Sequence, residues 1–388
     1  MSSKRKICVV IGSRANYGSI KSVMRAIKNN PALELQLVVC ASALLDRYGE
    51  VVKLIEKDGF HVDERIFMLV EGETLVTMAK STGLGLMELS TVFENLKPDV
   101  VLTVGDRFET MATAIAAAYL NIPLAQTMGG EVSGTIDESI RHAVTKLAHI
   151  HFPACEQAKE RIIRMGEDPA NVHLVGCPRM DLVADIFRQF HGQSLDGNEL
   201  MKTGVGGVFD LEKPFVLISQ HPVTTEYGEG EKQITETLAA VREVGIPALV
   251  LWPNADAGSD HVARGLRKFR EHEDDSHFHF YKNLPSETYL RLLSKTACLI
   301  GNSSSAIREG SFIGTPAVNI GSRQQGRQRG KNVIDVGYDR ISIAKGVREQ
   351  VVHGSYQPEP IYGDGHAGER IADILSRCEV SIQKRMMY

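Results

Sequence analysis

Short apolar runs, each ended by Gly, Pro or Asp, alternate along this chain with longer amphipathic segments. In the first half, helical patterns over residues 43–58 and 107–120 separate some of these runs. Alternation of this kind predicts parallel β-sheets covered by helices on both faces. The runs that predict strands of a first sheet are 6–12, 34–41, 99–105 and 123–129.

The pattern weakens across residues 191–207, a polar and glycine-rich stretch, and then begins again. We therefore expect an α/β protein with two Rossmann-like, doubly wound domains, over residues 1–190 and 208–365. A chain of 388 residues is also longer than one ordinary hydrophobic core supports. The runs that predict the second sheet are 213–221, 247–253, 277–283, 296–302 and 315–321.

The composition is typical of a soluble globular protein. Apolar residues make up 43% of the chain, charged residues make up 24%, and the formal net charge is −4. This balance excludes a global basic surface for nucleic acid, and no run approaches the roughly 18 uninterrupted apolar residues of a membrane span. Six scattered cysteines without a C-x-x-C pair indicate reduced core thiols. We expect a cytoplasmic protein that binds neither nucleic acid nor membrane.

Polar residues follow the apolar runs at several predicted strand ends. In open parallel sheets, ligands bind beyond the carboxyl ends of the strands. Loops from two such domains, facing a cleft, would form a site for a bipartite ligand. The groups at these ends are 12–14, 105–107, 129–131, 220–221 and 301–305.

The segment GNSSSAIREG (301–310) follows a predicted strand and is expected to open a helix. Ser303, Ser304 and the first free backbone amides would then meet a phosphate at the positive end of the helix dipole. Glu309, two turns into that helix, could accept both hydroxyls of a ribose. Serines at a helix start are also common N-caps, and Glu309 could be a solvated helical carboxylate. Together these features indicate a nucleoside diphosphate site.

Three arginines lie near predicted strand ends. Arg14 in IGSRANYGSI could clamp phosphate oxygens with a bidentate guanidinium, and Arg323 and Arg327 in GSRQQGRQRG add local positive charge. Each of them could equally be a surface charge. The chain has neither G-x-G-x-x-G nor G-K-[ST], so no dinucleotide fingerprint or P-loop is predicted. We expect no cofactor.

Asp106, Glu131 and Asp137 are the candidate catalytic carboxylates. Because carboxylates are costly to desolvate without partners, a pair at neighbouring strand ends indicates acid/base chemistry. Arg107 and Arg141 are candidate partners, and ion pairing of this kind is also the structural alternative. Asp137 could equally be a charge at a helix start.

His221 closes the apolar run FVLISQH and precedes a proline. At a strand end its ring could hydrogen-bond a diphosphate or donate a proton, whereas a lone histidine is more often structural. His272, His277 and His279 lie where a solvated acidic segment runs into a strand, and we expect no metal site there.

These residues, in this order, resemble the UDP-N-acetylglucosamine 2-epimerase family, particularly its hydrolysing branch. The resemblance extends from Ile7 to about residue 375. GGEVSGTIDESIRH and QHPVTT are quite specific, and they disfavour the non-hydrolysing branch, which usually has V-E-A-G and G-H-R there. The matching segments are GDRFET, GGEVSGTIDESIRHAVTKLAH, LVGCPRMD, QHPVTT, WPNADAGSD, IGNSSSAIREG, NIGSRQQGR and IYGDGHAGERI.

The resemblance implies a GT-B-like pair of domains, with a final helix over residues 366–388 that packs back on the first domain. It implies acid/base roles for the three carboxylates, and a homodimer or homotetramer. Arg107 would be a further substrate contact. The residues implied on the diphosphate side are Arg14, His221, Ser303, Ser304 and Arg323, while Glu309 would hold the ribose and Asn254 and Lys282 would lie near the nucleoside.

Two departures from the family pattern concern the sugar. Asn16 stands where the family usually has an aspartate. Gln126 and Met128 occupy a stretch where members specific for N-acetylglucosamine usually have a histidine. We expect these positions to lie close to the sugar, so they bear on its identity more than on the class of reaction.

The implied reaction converts UDP-N-acetylglucosamine and water into N-acetylmannosamine and UDP, by elimination through 2-acetamidoglucal and then hydration. Elimination comes first because the C2 hydrogen becomes labile only as the diphosphate leaves. The nearest alternative is the same reaction on a UDP- or GDP-linked 2,4-diacetamido-2,4,6-trideoxyglucose (N,N'-diacetylbacillosamine), which feeds legionaminic rather than sialic acid. A GT-B glycosyltransferase and a nucleotide-sugar-binding protein are alternatives of other classes; the latter would not need three carboxylates.

Overall fold

The computed structural model describes residues 4–71, 75–133, 136–190, 195–253, 258–272, 276–282, 284–379 and 381–387. Contacts within the chain divide it into two compact units. Unit 1 comprises Met1–Glu131, Ile136–Ala184 and Tyr362–Tyr388, and unit 2 comprises Val132–Thr135 and Asp185–Ile361. Each unit has its own sheet of mainly parallel strands, which confirms the predicted α/β class with two doubly wound domains.

Unit 1 is built on six parallel strands in the order β3-β2-β1-β4-β5-β6. This is the Rossmann order, in which the direction of winding reverses between β1 and β4. Ile7 of β1 pairs with Leu35 of β2 on one side and with Val100 of β4 on the other. The strands are β1 (Arg5–Ile11), β2 (Leu33–Cys40), β3 (Glu64–Ile66), β4 (Val100–Val104), β5 (Leu124–Thr127) and β6 (Ile150–Phe152).

Unit 2 is built on seven strands in the order β13-β12-β11-β8-β9-β10-β7. Among the strands that the structure describes in this unit, only the short edge strand β7 is antiparallel to its neighbour. The strands are β7 (Val205–Gly206), β8 (Val216–Ser219), β9 (Ala248–Leu251), β10 (Phe278–Tyr281), β11 (Cys298–Gly301), β12 (Ala317–Ile320) and β13 (Val333–Val336).

Helices cover both sheets and bury their apolar stripes against the strands. They are α1 (Arg14–Asn29), α2 (Val51–Lys57), α3 (Leu75–Leu96), α4 (Phe108–Tyr119), α5 (Ile136–Leu147), α6 (Glu156–Arg164), α7 (Pro178–Phe190), α8 (Gly197–Met201), α9 (Gly230–Val244), α10 (Ser259–His272), α11 (Ser286–Lys295), α12 (Glu309–Ile313), α13 (Arg340–His353) and α14 (Ala367–Arg377). All six cysteines are free thiols, and all but Cys378 are buried. Within the described ranges, no helix combines the length and apolar character needed to cross a bilayer.

Two predicted helices differ from the structure. The helix expected over 43–58 is reduced to α2, because Gly49 and Glu50 adopt left-handed φ angles of 84° and 41° that interrupt it. The helix expected over 366–388 ends at Arg377, since its buried face ends at Leu375. α14 packs on α1 in unit 1, where an added Cβ on Gly368 would lie 2.8 Å from the backbone of Ser22.

Candidate active site

The candidate residues of unit 1 lie at the carboxyl ends of three adjacent strands, β1, β4 and β5. Arg14 follows β1, Asp106 and Arg107 follow β4, and Glu131 follows β5. Because parallel strands end at the same edge of a sheet, the fold brings these side chains to one edge. Asp137 lies in the first turn of α5, the next helix along the chain.

Arg14 is the first residue of α1 and is exposed. Ser13 caps this helix by accepting a hydrogen bond from the Asn16 amide at 3.2 Å. The first turn contains no acidic residue, so a cation stands alone at the positive end of a helix dipole. A nearby anion would relieve that arrangement, and the phosphate role of Arg14 stays a prediction.

Asn16 is a buried structural residue. Its Nδ2 donates to the Val104 carbonyl at 3.2 Å, and its Oδ1 accepts from the Gly12 amide at 3.3 Å. An ionised aspartate has no donor for the Val104 carbonyl. This side chain therefore joins the ends of β1 and β4, and its expected place close to the sugar stays a prediction.

Asp106 and Glu131 are connected through the buried guanidinium of Arg141 on α5. Arg141 forms an ion pair with the Asp106 carboxylate and donates to the Glu131 carbonyl oxygen at 2.6 Å. The Arg141 side chain is 4% exposed, compared with 29% for the Asp106 side chain. The pairing expected for Arg141 is confirmed, and it leaves the Asp106 side chain partly accessible.

Glu109, in the first turn of α4, is a fourth carboxyl group that the sequence reasoning missed. It is 3% exposed, and within the described part of the chain neither carboxyl oxygen accepts a hydrogen bond. Its nearest cation is Arg107, whose Nε lies 3.4 Å from Oε1. Burial raises the pKa of Glu109; the positive charge of Arg107 opposes this, and the negative charges of Asp106 and Asp137 add to it.

Gln126 is a buried residue with partners on α5, and its expected place close to the sugar stays a prediction. It is fully buried, its Nε2 donates to the Arg141 carbonyl at 3.1 Å, and its Oε1 accepts from Thr145 at 2.7 Å. Met128 is 9% exposed, and its sulfur lies 3.5 Å from that of Cys177. Gln126 therefore anchors α5 to β5.

The candidate residues of unit 2 lie mainly after β8, β11 and β12, which are also adjacent strands. His221 follows β8, Ser303 and Ser304 follow β11, and Arg323 follows β12. Lys282 follows β10, which lies two strands away from β8, and its side chain is exposed. Asn254 lies outside the described residues.

His221 and Asn302 lock the ends of β8 and β11 together. The His221 amide donates to Asn302 Oδ1 at 2.7 Å, and Asn302 Nδ2 donates to the His221 carbonyl at 2.8 Å. Burial and the positive charge of Arg323 lower the pKa of His221 to about 3. The ring is therefore neutral at neutral pH, so it can donate one hydrogen bond to a diphosphate but is a poor proton donor until an anion binds.

The serine segment after β11 does not open one continuous helix. Ser303 is extended (φ −69°, ψ 140°), Ser304 begins a short 3-10 turn that ends at Ala306, and Glu309 begins the separate helix α12. Ser303 Oγ accepts from the Ser305 amide at 3.3 Å, and such local hydrogen bonds compete with helix formation. Glu309 is thus at a helix start rather than two turns into a helix, and it is 2% exposed.

Arg323 and Gln324 bring the loop after β12 onto Asn302. Arg323 Nη1 donates to the Asn302 carbonyl at 3.1 Å, and Gln324 Nε2 donates to the same oxygen at 2.9 Å. The candidate diphosphate residues of unit 2, His221, Ser303, Ser304 and Arg323, therefore surround one buried asparagine. Asn302 is one of the polar residues expected at 301–305, but its place next to the serines of GNSSS does not reveal this structural role.

Other features of the chain do not belong to these clusters. The two ring nitrogens of His279 lie within hydrogen-bond distance of backbone carbonyl oxygens, Nδ1 at 2.9 Å from that of Gly207 and Nε2 at 2.7 Å from that of Thr203, so this residue is structural. His277 is exposed, and the His272 side chain lies outside the described residues. Among the described residues, no three His, Cys, Asp or Glu side chains are placed to hold a metal ion. A cavity of about 310 Å³, lined by His149, Glu167 and Lys384 among others, contains none of the predicted site residues.

Comparison with known proteins places this chain in a family. A family profile described as UDP-N-acetylglucosamine 2-epimerase matches residues 25–376. The chain is 34% identical over 378 residues to the UDP-N,N'-diacetylbacillosamine 2-epimerase (hydrolyzing) of Legionella pneumophila, covering 96% of this chain and 95% of that protein. It is 29% identical over 390 residues to the UDP-N-acetylglucosamine 2-epimerase of Neisseria meningitidis, covering 99% of each.

A solved structure shows the same fold. The crystal structure of UDP-GlcNAc 2-epimerase from Neisseria meningitidis bound to UDP-GlcNAc superposes with a TM-score of 0.79 at 17% identity, covering 95% of this chain and 99% of that one. This likeness agrees with the predicted fold class. The family profile and the extent of the match to the Legionella protein lead to one conclusion: the chain belongs to the UDP-N-acetylglucosamine 2-epimerase family.

Proposed function

We propose that this chain is a hydrolysing 2-epimerase, which cleaves a UDP-linked 2-acetamido sugar and releases UDP and the free 2-epimer. The carboxylates of unit 1 carry the proposal. Arg141 pairs with the Asp106 carboxylate and holds the main-chain carbonyl of Glu131, and the charges of Asp106 and Asp137 both raise the pKa of Glu109, so several acidic residues are grouped at one edge of the sheet. Moving protons on the two faces of one carbon requires at least two separate groups.

The proposed reaction has two steps. In the first, the bond between C1 and the diphosphate oxygen breaks, a carboxylate takes the C2 proton, and UDP and 2-acetamidoglucal form. In the second, a second carboxyl group, which starts protonated, gives its proton to C2 from the opposite face. Water attacks C1 through its oxygen, and the proton that water loses passes to this carboxylate. Asp106, Glu131 and Asp137 are the candidates for these two roles.

The loops of unit 2 would stabilise the departing UDP. His221 offers a neutral ring N–H, the segment at Ser303 and Ser304 offers hydroxyls and backbone amides, and Arg323 offers a positive charge. Donors that are already held in place stabilise developing negative charge without reorganising. Glu309 would accept the ribose hydroxyls, and Arg14 and Arg107 would supply further positive charge.

Two sugars are candidates for the substrate. UDP-N-acetylglucosamine would give N-acetylmannosamine, a precursor of sialic acid. UDP-N,N'-diacetylbacillosamine would give the 2,4-diacetamido sugar used for legionaminic acid, and it is favoured by the higher identity to the Legionella protein, 34% against 29% for the Neisseria protein.

Incubating both substrates with the protein in deuterium oxide, followed by NMR of the products, tests the proposal. We expect UDP, a free 2-epimeric sugar and deuterium at C2; a product with only hydrogen at C2 would exclude elimination. Asp106→Asn and Glu131→Gln should each lower turnover by about a hundredfold or more, while UDP affinity stays within about twofold. Glu94→Gln, an exposed carboxylate on α3, is the matched control, and full activity in both site variants would refute the assignment.

A further inference from the structure

Glu226 lies five residues beyond His221, at the end of a short 3-10 turn that follows β8. Its carboxylate accepts hydrogen bonds from three side chains on three different elements. The Tyr338 hydroxyl donates to Oε2 at 2.6 Å and Gln233 Nε2 donates to the same oxygen at 2.7 Å, while the Ser322 hydroxyl donates to Oε1. Nothing in the proposed chemistry uses this carboxylate.

These hydrogen bonds connect the loop of His221 with the loop of Arg323. Ser322 precedes Arg323 in the chain, and Arg323 donates to the Asn302 carbonyl. Asn302 in turn exchanges two hydrogen bonds with the backbone of His221. Glu226 therefore closes a ring of contacts that runs through the ends of β8, β11 and β12.

Tyr338 contacts both Glu226 and the loop that carries Ser322 and Arg323. Its hydroxyl accepts from the Ser322 amide at 3.4 Å while donating to Glu226. An added Cβ on Gly321, where φ is +73°, would lie 2.1 Å from the Tyr338 ring. The ring thus packs directly on the backbone of Gly321, which precedes Ser322 and Arg323, and so restricts the conformation of that loop.

We propose that Glu226 is a positioning residue, which holds the Ser322–Arg323 loop against the His221 loop and so sets the spacing of the groups that receive the diphosphate. The inference rests on the proposed function of that site. Burial alone would raise the pKa of Glu226, but hydrogen bonds from Ser322, Tyr338 and Gln233 lower it below its ordinary value. The side chain is therefore an ionised acceptor, and a glutamine would turn an N–H group toward one of the three donors.

Calorimetric titration of the full-length protein with UDP tests the role directly. In Glu226→Gln we expect UDP affinity to fall about tenfold and the KM for the nucleotide sugar to rise by a similar factor, with a smaller change in kcat. Glu231→Gln is the matched control, because Glu231 on α9 also accepts a hydrogen bond, from Lys268 at 2.5 Å, but touches neither loop. Its UDP affinity should equal that of the wild type.

Tyr338→Phe and Ser322→Ala keep the test decisive if Glu226→Gln folds poorly. Each removes one donor, so each should weaken UDP binding, and either combined with Glu226→Gln should cost less than the sum of the two separate effects. Wild-type UDP affinity in Glu226→Gln, or strictly additive effects, would overturn the positioning role alone. A wild-type protein that does not bind UDP would overturn this inference together with the proposed function, whereas one that binds UDP without hydrolysing a sugar would overturn only the latter.

Discussion

Replacing Glu109 by glutamine is expected to stabilise the protein at neutral pH, although Glu109 lies in the candidate active site. The side chain is 3% exposed, and its oxygens accept no hydrogen bond from the described part of the chain. Burial raises its pKa and the charges of Asp106 and Asp137 raise it further, against the opposing charge of Arg107. A glutamine has the same shape and no charge. It therefore avoids the free-energy cost of burying an ionised carboxylate, or of binding a proton from neutral solution to keep the carboxyl group uncharged.

Because the pKa of Glu109 is raised in the folded chain, this carboxyl group makes the folded wild type less stable as the pH increases. Well below the ordinary pKa of 4.5, Glu109 is protonated in both the folded and the unfolded chain, so the variant and the wild type should be equally stable. As the pH rises past that value, the unfolded chain ionises first, and the folded wild type loses stability until its own pKa is reached. The loss is about 1.4 kcal/mol for each unit by which the folded pKa exceeds the unfolded one.

Urea unfolding of the full chain between pH 4 and pH 9 measures this difference. The advantage of Glu109→Gln over the wild type should be near zero at pH 4, should grow with pH and should then become constant, and Glu94→Gln should show no such trend. A difference that does not change with pH, or a variant that is less stable than the wild type at pH 8, would refute the reasoning. We also expect lower turnover in this variant, since groups that cost stability in a site are commonly kept for function.

Two further predictions concern the scaffold of the two clusters. Gly301→Ala should destabilise the protein by roughly 2 kcal/mol or more and weaken UDP binding, because φ is +130° and an added Cβ would lie 2.2 Å from the Ser219 carbonyl oxygen; urea unfolding with unchanged stability would contradict this. Lys384→Met should destabilise the protein at neutral pH, by an amount that shrinks as the pH falls. Despite burial, hydrogen bonds from His151, Lys146 and Lys384 hold the pKa of Glu167 at about 2. The stability from Glu167 is full above pH 4.5 and is lost as the pH falls towards 2, so unfolding curves of the variant and the wild type should differ at pH 7 and converge near pH 2; parallel curves would exclude the effect.

The sheets and the grouping of residues at their edges could be predicted from the sequence. Apolar runs bounded by Gly, Pro or Asp identify buried parallel strands, and polar residues just beyond them reach the ligand edge. For this reason Asp106 and Glu131 were expected together, and β4 and β5 are indeed neighbours. The order of the strands could not be predicted in the same way, because periodicity carries no information about which runs pair.

Local hydrogen bonds explain much of what the sequence did not reveal. The serines after β11 have the pattern of a long helix start, but Ser303 bonds the Ser305 amide and the chain turns twice before α12. Glu109 has the sequence context of an ordinary acidic residue at a helix start, yet α4 approaches β1 so closely that an added Cβ on Gly12 would lie 2.3 Å from its Cγ. Burial of this kind depends on how a helix docks, which one sequence does not encode in a readable pattern.

The position of α5 has consequences for both stability and chemistry. Its first turn carries Asp137, its second turn carries Arg141, and its last turn is held by Lys384, whose Nζ donates to the Lys146 carbonyl at 2.8 Å. A shift of this helix would therefore move the Asp137 carboxylate and also Arg141, the ion-pair partner of Asp106, at the same time. Because geometry within about an ångström governs proton transfer, contacts at the far end of α5 should influence turnover more than UDP affinity. The Lys384→Met variant separates these effects, since a loss of UDP affinity equal to the loss of kcat would show that α5 does not act on the carboxylates selectively.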